Sequence, residues 1–335
     1  MRDLIKQVPI PAAGVALGLA ALGILLQPYS EIVHIVCGVL SACFILLLFA
    51  KIVLFPKTIR DDLHNSIAAS VSATLFMTLM QLSTYLAPVL HTAALCLWVA
   101  AIAGHLCLML WFTATYIRHF KLSEVFPTYF ICYVGIIVGS VSSPTFGMEA
   151  VGNVLFWFGF ACYLVLLVVV TTRYFKHEVP EAARPLFCIY TAPMSLSLAG
   201  YLAAADQPNV AFVIVLLVLA QILLLVVLSR LPLFVKLKFY PSFAAMTFPF
   251  VITATALSRA TTLLRSQGVL APGAFSTFLD ALLVVETVLA CGMVLFVVCH
   301  YAHFFWRCIA APSDPGIKRE RRIASMIARG LTGKR

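Results

Sequence analysis

Residues 208–230 read PNVAFVIVLLVLAQILLLVVLSR, with Gln221 the single polar side chain between Val210 and Leu228 and no charge before Arg230. A helix of about 20 mostly apolar residues covers the roughly 30 Å hydrocarbon core of a bilayer, so this stretch predicts a membrane span. Its flanks orient it. Arg230, Lys236 and Lys238 follow it, whereas the loop before it, Ala204–Asn209, holds no base. Translocating Lys and Arg is unfavourable, which keeps them in cytoplasmic loops. The span is therefore expected to end in the cytoplasm.

The same reading, carried outward, finds ten apolar stretches at about 8–27, 31–55, 65–87, 91–117, 126–143, 150–174, 184–204, 208–230, 239–261 and 273–304. With ten spans, 21 of the 23 Lys and Arg residues fall in alternate loops or the termini on one side, and only Arg259 and Arg265 fall on the other. A miscount by one span would scramble this alternation. Both termini are thus read as cytoplasmic in a multi-pass protein of the cell (inner) membrane, and the stretch from Val8 is read as a retained span rather than a cleaved signal.

Composition excludes several classes. The 335 residues are 62% hydrophobic and 11% charged, with a mean hydropathy of +1.03, against about 25% charged in soluble domains. We expect one transmembrane domain over residues 1–305 and a basic cytoplasmic tail over 306–335. The net charge of +10 sits in short membrane-flanking loops and the tail, which suits a lipid bilayer with anionic headgroups rather than nucleic acid. Nine of the ten cysteines lie in apolar stretches and no CxxC occurs, so neither a disulfide framework nor a metal site is expected, and no cofactor. HExxH, GxSxG and P-loop motifs are missing, which argues against an enzyme. Asp61-Asp62 keeps a membrane-embedded transferase as a remote alternative, although magnesium sites need more carboxylates; a cap at the start of the third helix is the plainer reading.

The short loops on the base-poor side pair the stretches as five helical hairpins. Odd stretches carry Pro, Gly, Ser and Thr, among them Pro9, Pro11, Gly14 and Gly18; Ser70 and Thr74; Gly135, Gly139 and Ser140; Pro193 and Ser195; Thr247, Pro249 and Thr253. Even stretches are rich in Leu, Val and Phe. Irregular backbone survives in a bilayer only where protein or water satisfies it. The all-α fold expected is an inner ring of odd helices around a central pore, with an outer ring of even helices against lipid. The alternative is that the small residues only permit close helix packing.

Thr247-Phe248-Pro249-Phe250 in the ninth stretch resembles the tellurite-resistance/dicarboxylate transporter (TDT) family, which includes a bacterial tellurite-resistance membrane protein and the plant guard-cell slow anion channels. Three more stretches are similar to that family: Val8–Gly14 with Gly18–Gly23, Ala192-Pro193 with Ser195–Leu202, and Gln221 with Arg230-Leu231-Pro232. The family's third helix often opens with His-Pro, where this chain has His64-Asn65-Ser66. The resemblance implies an anion channel or channel-like transporter, a homotrimer with one pore per subunit, and a pore gate at Phe248. An apolar ring on the axis blocks ions by closure and dewetting; an aromatic packed between helices is the alternative.

The candidate pore-lining residues are Gly14, Gly18, Ser70, Thr74, Gly135, Gly139, Ser140, Pro193, Ser195, Thr247, Pro249 and Thr253, and none is Lys or Arg. Hydroxyls and freed backbone groups would hold an anion weakly, as conduction requires, unless the hydroxyls bond back to their own helices. The expected partners are small inorganic or organic anions, with passive flow of small monovalent anions as the favoured activity. Glu286, a carboxylate inside the tenth stretch, is the candidate for proton coupling, and with it a proton-coupled C4-dicarboxylate or sulfite carrier is the alternative; a structural hydrogen bond is the other reading of Glu286. The lone histidines His34 and His105 read as core hydrogen-bonding groups.

Overall fold

The computed structural model describes residues 2–310, and all regular structure within them is helical. We label the main helices α1 (Ala12–Leu26), α2 (Glu31–Leu54), α3 (Ser66–Leu86), α4 (His91–Ile117), α5 (Thr128–Val134 and Ile137–Phe146), α6 (Glu149–Lys176), α7 (Glu181–Ala204), α8 (Val210–Phe234), α9 (Pro241–Ser266) and α10 (Ala274–Ala310). Eight are long and apolar enough to cross a membrane, and the bent α5 makes a ninth if its halves form one span. The apolar α1, at 15 residues, rises only about 22 Å and is entered through a turn over Pro9–Pro11. Helix α10 runs past residue 305 to Ala310, and the rest of the basic tail lies outside the described residues.

Burial separates the two sets of helices. In the apolar windows of α7, α9 and α3, 83%, 78% and 61% of residues are buried, against 28–33% in α2, α4, α6, α8 and α10. All of α1 except Ile24 and Leu26 is buried. Many Leu, Val and Phe side chains of the even helices are exposed, as on Val215, Val218 and Leu225, a surface that only lipid or another apolar partner covers at low cost.

The odd helices close a ring. Helix α1 packs on α3, α3 on α5, α5 on α7, α7 on α9, and α9 returns to α1. Each even helix rests on its own hairpin partner and on the next odd helix, so that α2 lies against α1 and α3, and α10 against α9 and α1.

Four of the five inner helices are interrupted, and the fifth, α1, is entered through the turn at Pro9–Pro11. Helix α5 bends by 52° between its halves. At that joint a Cβ on Gly135 would stand 2.2 Å from the Ile131 carbonyl oxygen and 2.6 Å from Met77 Sδ, so only glycine fits. Helices α7 and α9 begin as 3-10 turns, Glu181–Tyr190 and Pro241–Met246, before turning α-helical at Thr191 and Phe248. Helix α3 lacks proline yet breaks at Ser72, between Ser66–Val71 and Ala73–Leu86. There Ser70 donates to Ser66 O at 2.6 Å, Ser72 to Ala69 O at 2.6 Å and Thr74 to Val71 O at 2.7 Å. Such back-bonding competes with the backbone ladder and bends helices without proline. The cap of α3 is not Asp61-Asp62 but Asn65, whose side chain accepts from Ile67 N at 2.9 Å and Ala68 N at 3.2 Å; Asp62 is committed to Lys51 instead.

Candidate functional site

The N-terminal halves of all five inner helices enclose a cavity of about 850 Å³. Its wall includes Gly14 and Leu17 of α1, Thr74 and Met77 of α3, Val134 and Gly135 of α5, Pro193 and Leu196 of α7, and Phe248 and Pro249 of α9. Its mouth is at the base-rich end, where the short helices Arg2–Gln7 and Pro56–Asp62 contribute Lys6 and Asp62, and where Lys51, Asn65, Lys238 and Tyr240 complete the rim. Three lysines and one aspartate line the whole cavity. Since the wall is drawn from the start of each inner helix, helix N-termini face the enclosed space. The aligned peptide dipoles put positive partial charge at these ends, which favours anions. Burial pushes the pKa of Tyr240 up, with Glu181 adding to the rise and Lys238 opposing it, so at neutral pH the phenol adds no negative charge at the rim.

Of the residues singled out from the sequence, Gly14, Thr74, Gly135, Pro193, Phe248 and Pro249 share this wall. The others are placed between helices. Ser70 Oγ lies 2.7 Å from Thr128 Oγ1, and Ser140 Oγ donates to Gly200 O at 3.0 Å. Ser195 donates to Thr191 O at 2.9 Å, and Thr253 to Pro249 O at 2.8 Å, with the two hydroxyls 3.0 Å apart at the contact of α7 with α9. Thr247 donates to Ala244 O at 2.7 Å and to Gly14 O at 3.0 Å. Gly18 packs on Thr247 and Gly139 on Leu155. In an apolar interior a hydroxyl finds its nearest acceptor in the carbonyl one turn back, which draws these groups off the axis.

Phe248 is 6% exposed and opens the α-helical part of α9. The break falls at Thr247, with φ −109° and ψ −88°, so Pro249 sits in the first turn of the following helix. A proline there removes an N–H that has no intrahelical partner anyway. The backbone joint from which Phe248 starts is pinned to α1 through Thr247.

The SLAC1 family model, for voltage-dependent anion channels, matches residues 7–311. The chain belongs to the SLAC1 family. The match takes in every helix of the inner and outer rings, and with it the whole cavity wall from Gln7 onward. Among curated proteins none matches the chain. Membership agrees with the resemblance carried by Thr247–Phe250, and it makes the protein an anion channel or transporter in the general sense.

Within this SLAC1-family chain, sequence reading missed the rim. Lys51, on the last turn of α2, is folded into the cavity wall at 3% exposure. Its signal was a base one turn inside an apolar helix, where an ammonium needs a partner. Glu286 is off the cavity: it faces the bundle from α10 at 2% exposure. Gln221 of α8 is its polar neighbour and reaches the carboxylate only as a long, poorly aligned hydrogen bond. Asp280 is exposed and pairs with Arg265 at the end opposite the mouth. His34 Nδ1 lies 3.1 Å from Gly23 O and His105 Nε2 lies 2.8 Å from Cys132 O. Among the described residues no three His, Cys, Asp or Glu side chains converge as a metal site.

Proposed function

We propose that the protein is a channel, or channel-like transporter, that passes small monovalent anions through the centre of each subunit, with Phe248 as the occluding residue. One observation carries this reading: a cavity walled by the N-terminal halves of five inner helices, rimmed by Lys6, Lys51 and Lys238, has Phe248 in its wall. Helix N-termini and lysines attract an anion without caging it. Because most candidate hydroxyls are engaged with helix carbonyls, the attraction comes from backbone dipoles and rim charge, and the binding stays weak enough for release. An apolar ring across the axis then stops hydrated ions by steric closure and dewetting. The one-sided bases support a mouth and both termini in the cytoplasm of a cell-membrane protein. The exposed apolar faces of the even helices suit lipid and the subunit contacts of a homotrimer.

Anion flux from purified protein in liposomes tests the reading, with chloride and nitrate substituted for one another and no pH gradient. Wild type is expected to conduct poorly and Phe248→Ala to conduct several-fold better with the same anion order. Equal flux from a well-folded Phe248→Ala protein would remove the gate. Flux that appears only under a pH gradient would transfer the protein to the proton-coupled carriers.

A further inference from the structure

We propose that Lys51 is the anion-binding group at the mouth of the cavity and that the Asp62 carboxylate is its built-in competitor. The proposal rests on the reading of the cavity as an anion pathway. The Lys51 ammonium, on the last turn of α2, is 3% exposed and donates to Val8 O at 2.8 Å and to Asp62 Oδ2 at 2.9 Å. Both Lys51 and Asp62 line the cavity. An ammonium has three N–H donors. One is anchored to the backbone that leads into α1, one is held by the carboxylate, and the third is open to a further acceptor.

The two partners are held unequally. The Lys51 side chain is 4% exposed and that of Asp62 is 26% exposed. Asp62 ends the short helix Pro56–Asp62, in which no residue is buried, so little packing holds it in place. Lys57 and Arg60 on the same helix are exposed cations that can screen the carboxylate once it leaves. Val8 O keeps the ammonium in position during the exchange. A small anion entering the mouth can therefore displace Asp62 from a preorganised, desolvated positive charge, and Asp62 returns when the anion moves on. The site selects monovalent anions of carboxylate size, because the group it normally holds is a carboxylate.

The test uses the full chain with two readouts. One is the thermal shift of purified protein against nitrate and against chloride, at ionic strength held constant with isethionate. The other is the concentration dependence of liposome flux. Asp62→Asn keeps a side-chain acceptor for Lys51 and is expected to lower the half-saturating nitrate concentration in both readouts by about tenfold, the change that corresponds to about 1.4 kcal/mol. Lys51→Gln is expected to abolish the nitrate-dependent shift. Because Lys51 also holds Val8 O, that variant can fail to fold, and Asp62→Asn then decides. Unchanged half-saturation in Asp62→Asn overturns the proposal even if the wild type conducts. Tighter nitrate binding by Asp62→Asn with no flux from any variant upholds the site and overturns the channel reading instead.

Discussion

Gly18 of α1 lies so close to Thr247 of α9 that a Cβ at position 18 would stand 2.5 Å from the Thr247 Cβ. One turn earlier in α1, Gly14 O accepts the Thr247 hydroxyl. These two contacts seal the inner ring where its last helix meets its first, and they fix the joint from which Phe248 starts.

The closeness makes a prediction. Gly18→Val cannot fit without moving α1 from α9, and overpacking of this kind costs about 1–3 kcal/mol. Thermal unfolding in detergent is expected to shift down, with a smaller shift for Gly18→Ala. An unshifted Gly18→Val protein would show that the contact is loose.

A buried hydrogen bond between α4 and α5 makes a second. Trp98, 1% exposed, donates its Nε1–H to Ser142 Oγ at 2.8 Å. Ser142→Ala leaves that donor without an acceptor, at about 1–3 kcal/mol. Neither residue lines the cavity, so thermal stability is expected to fall while anion order in the flux assay is kept.

Glu286 gives a third. A carboxylate within a membrane helix costs about 2.5–3.5 kcal/mol on insertion scales, and here neither oxygen makes a well-formed hydrogen bond. Glu286→Gln is expected to raise thermal stability and to leave the pH profile of flux as in wild type. A profile flattened by this substitution would assign Glu286 to proton coupling.

The rim charges give a fourth. Lys6 and Lys238 stand at the mouth, Lys238 within 3.9 Å of Glu181. Fields from such groups reach about 10 Å at 0.1 M salt and about 3 Å at 1 M. Neutralising both as Lys6→Gln and Lys238→Gln is expected to lower conductance strongly in dilute salt and little in concentrated salt. Equal loss at both strengths would mean that the lysines act by contact, not by field.

Several of these features could be read in the chain. The run from Val210 to Leu228 and its counterparts set which segments are apolar enough to enter a membrane, and the basic loops predict their orientation. The contrast of Thr247–Phe250 with Val213–Val227 separated buried helices from exposed ones, and burial in the fold follows that division. The break in α3 was not readable from proline spacing, because serine hydroxyls make it.

Apolar length, charge and the sorting of helices into inner and outer were thus fixed by the sequence alone, since each is a property of a single segment. Which side chains meet the cavity was decided by tertiary structure. Ser195 and Thr253 turned to helix carbonyls and to each other, while Lys51 came into the wall beside Asp62. The rotation of each helix about its axis depends on where it breaks and on what its neighbours offer as acceptors, and no single segment carries that information.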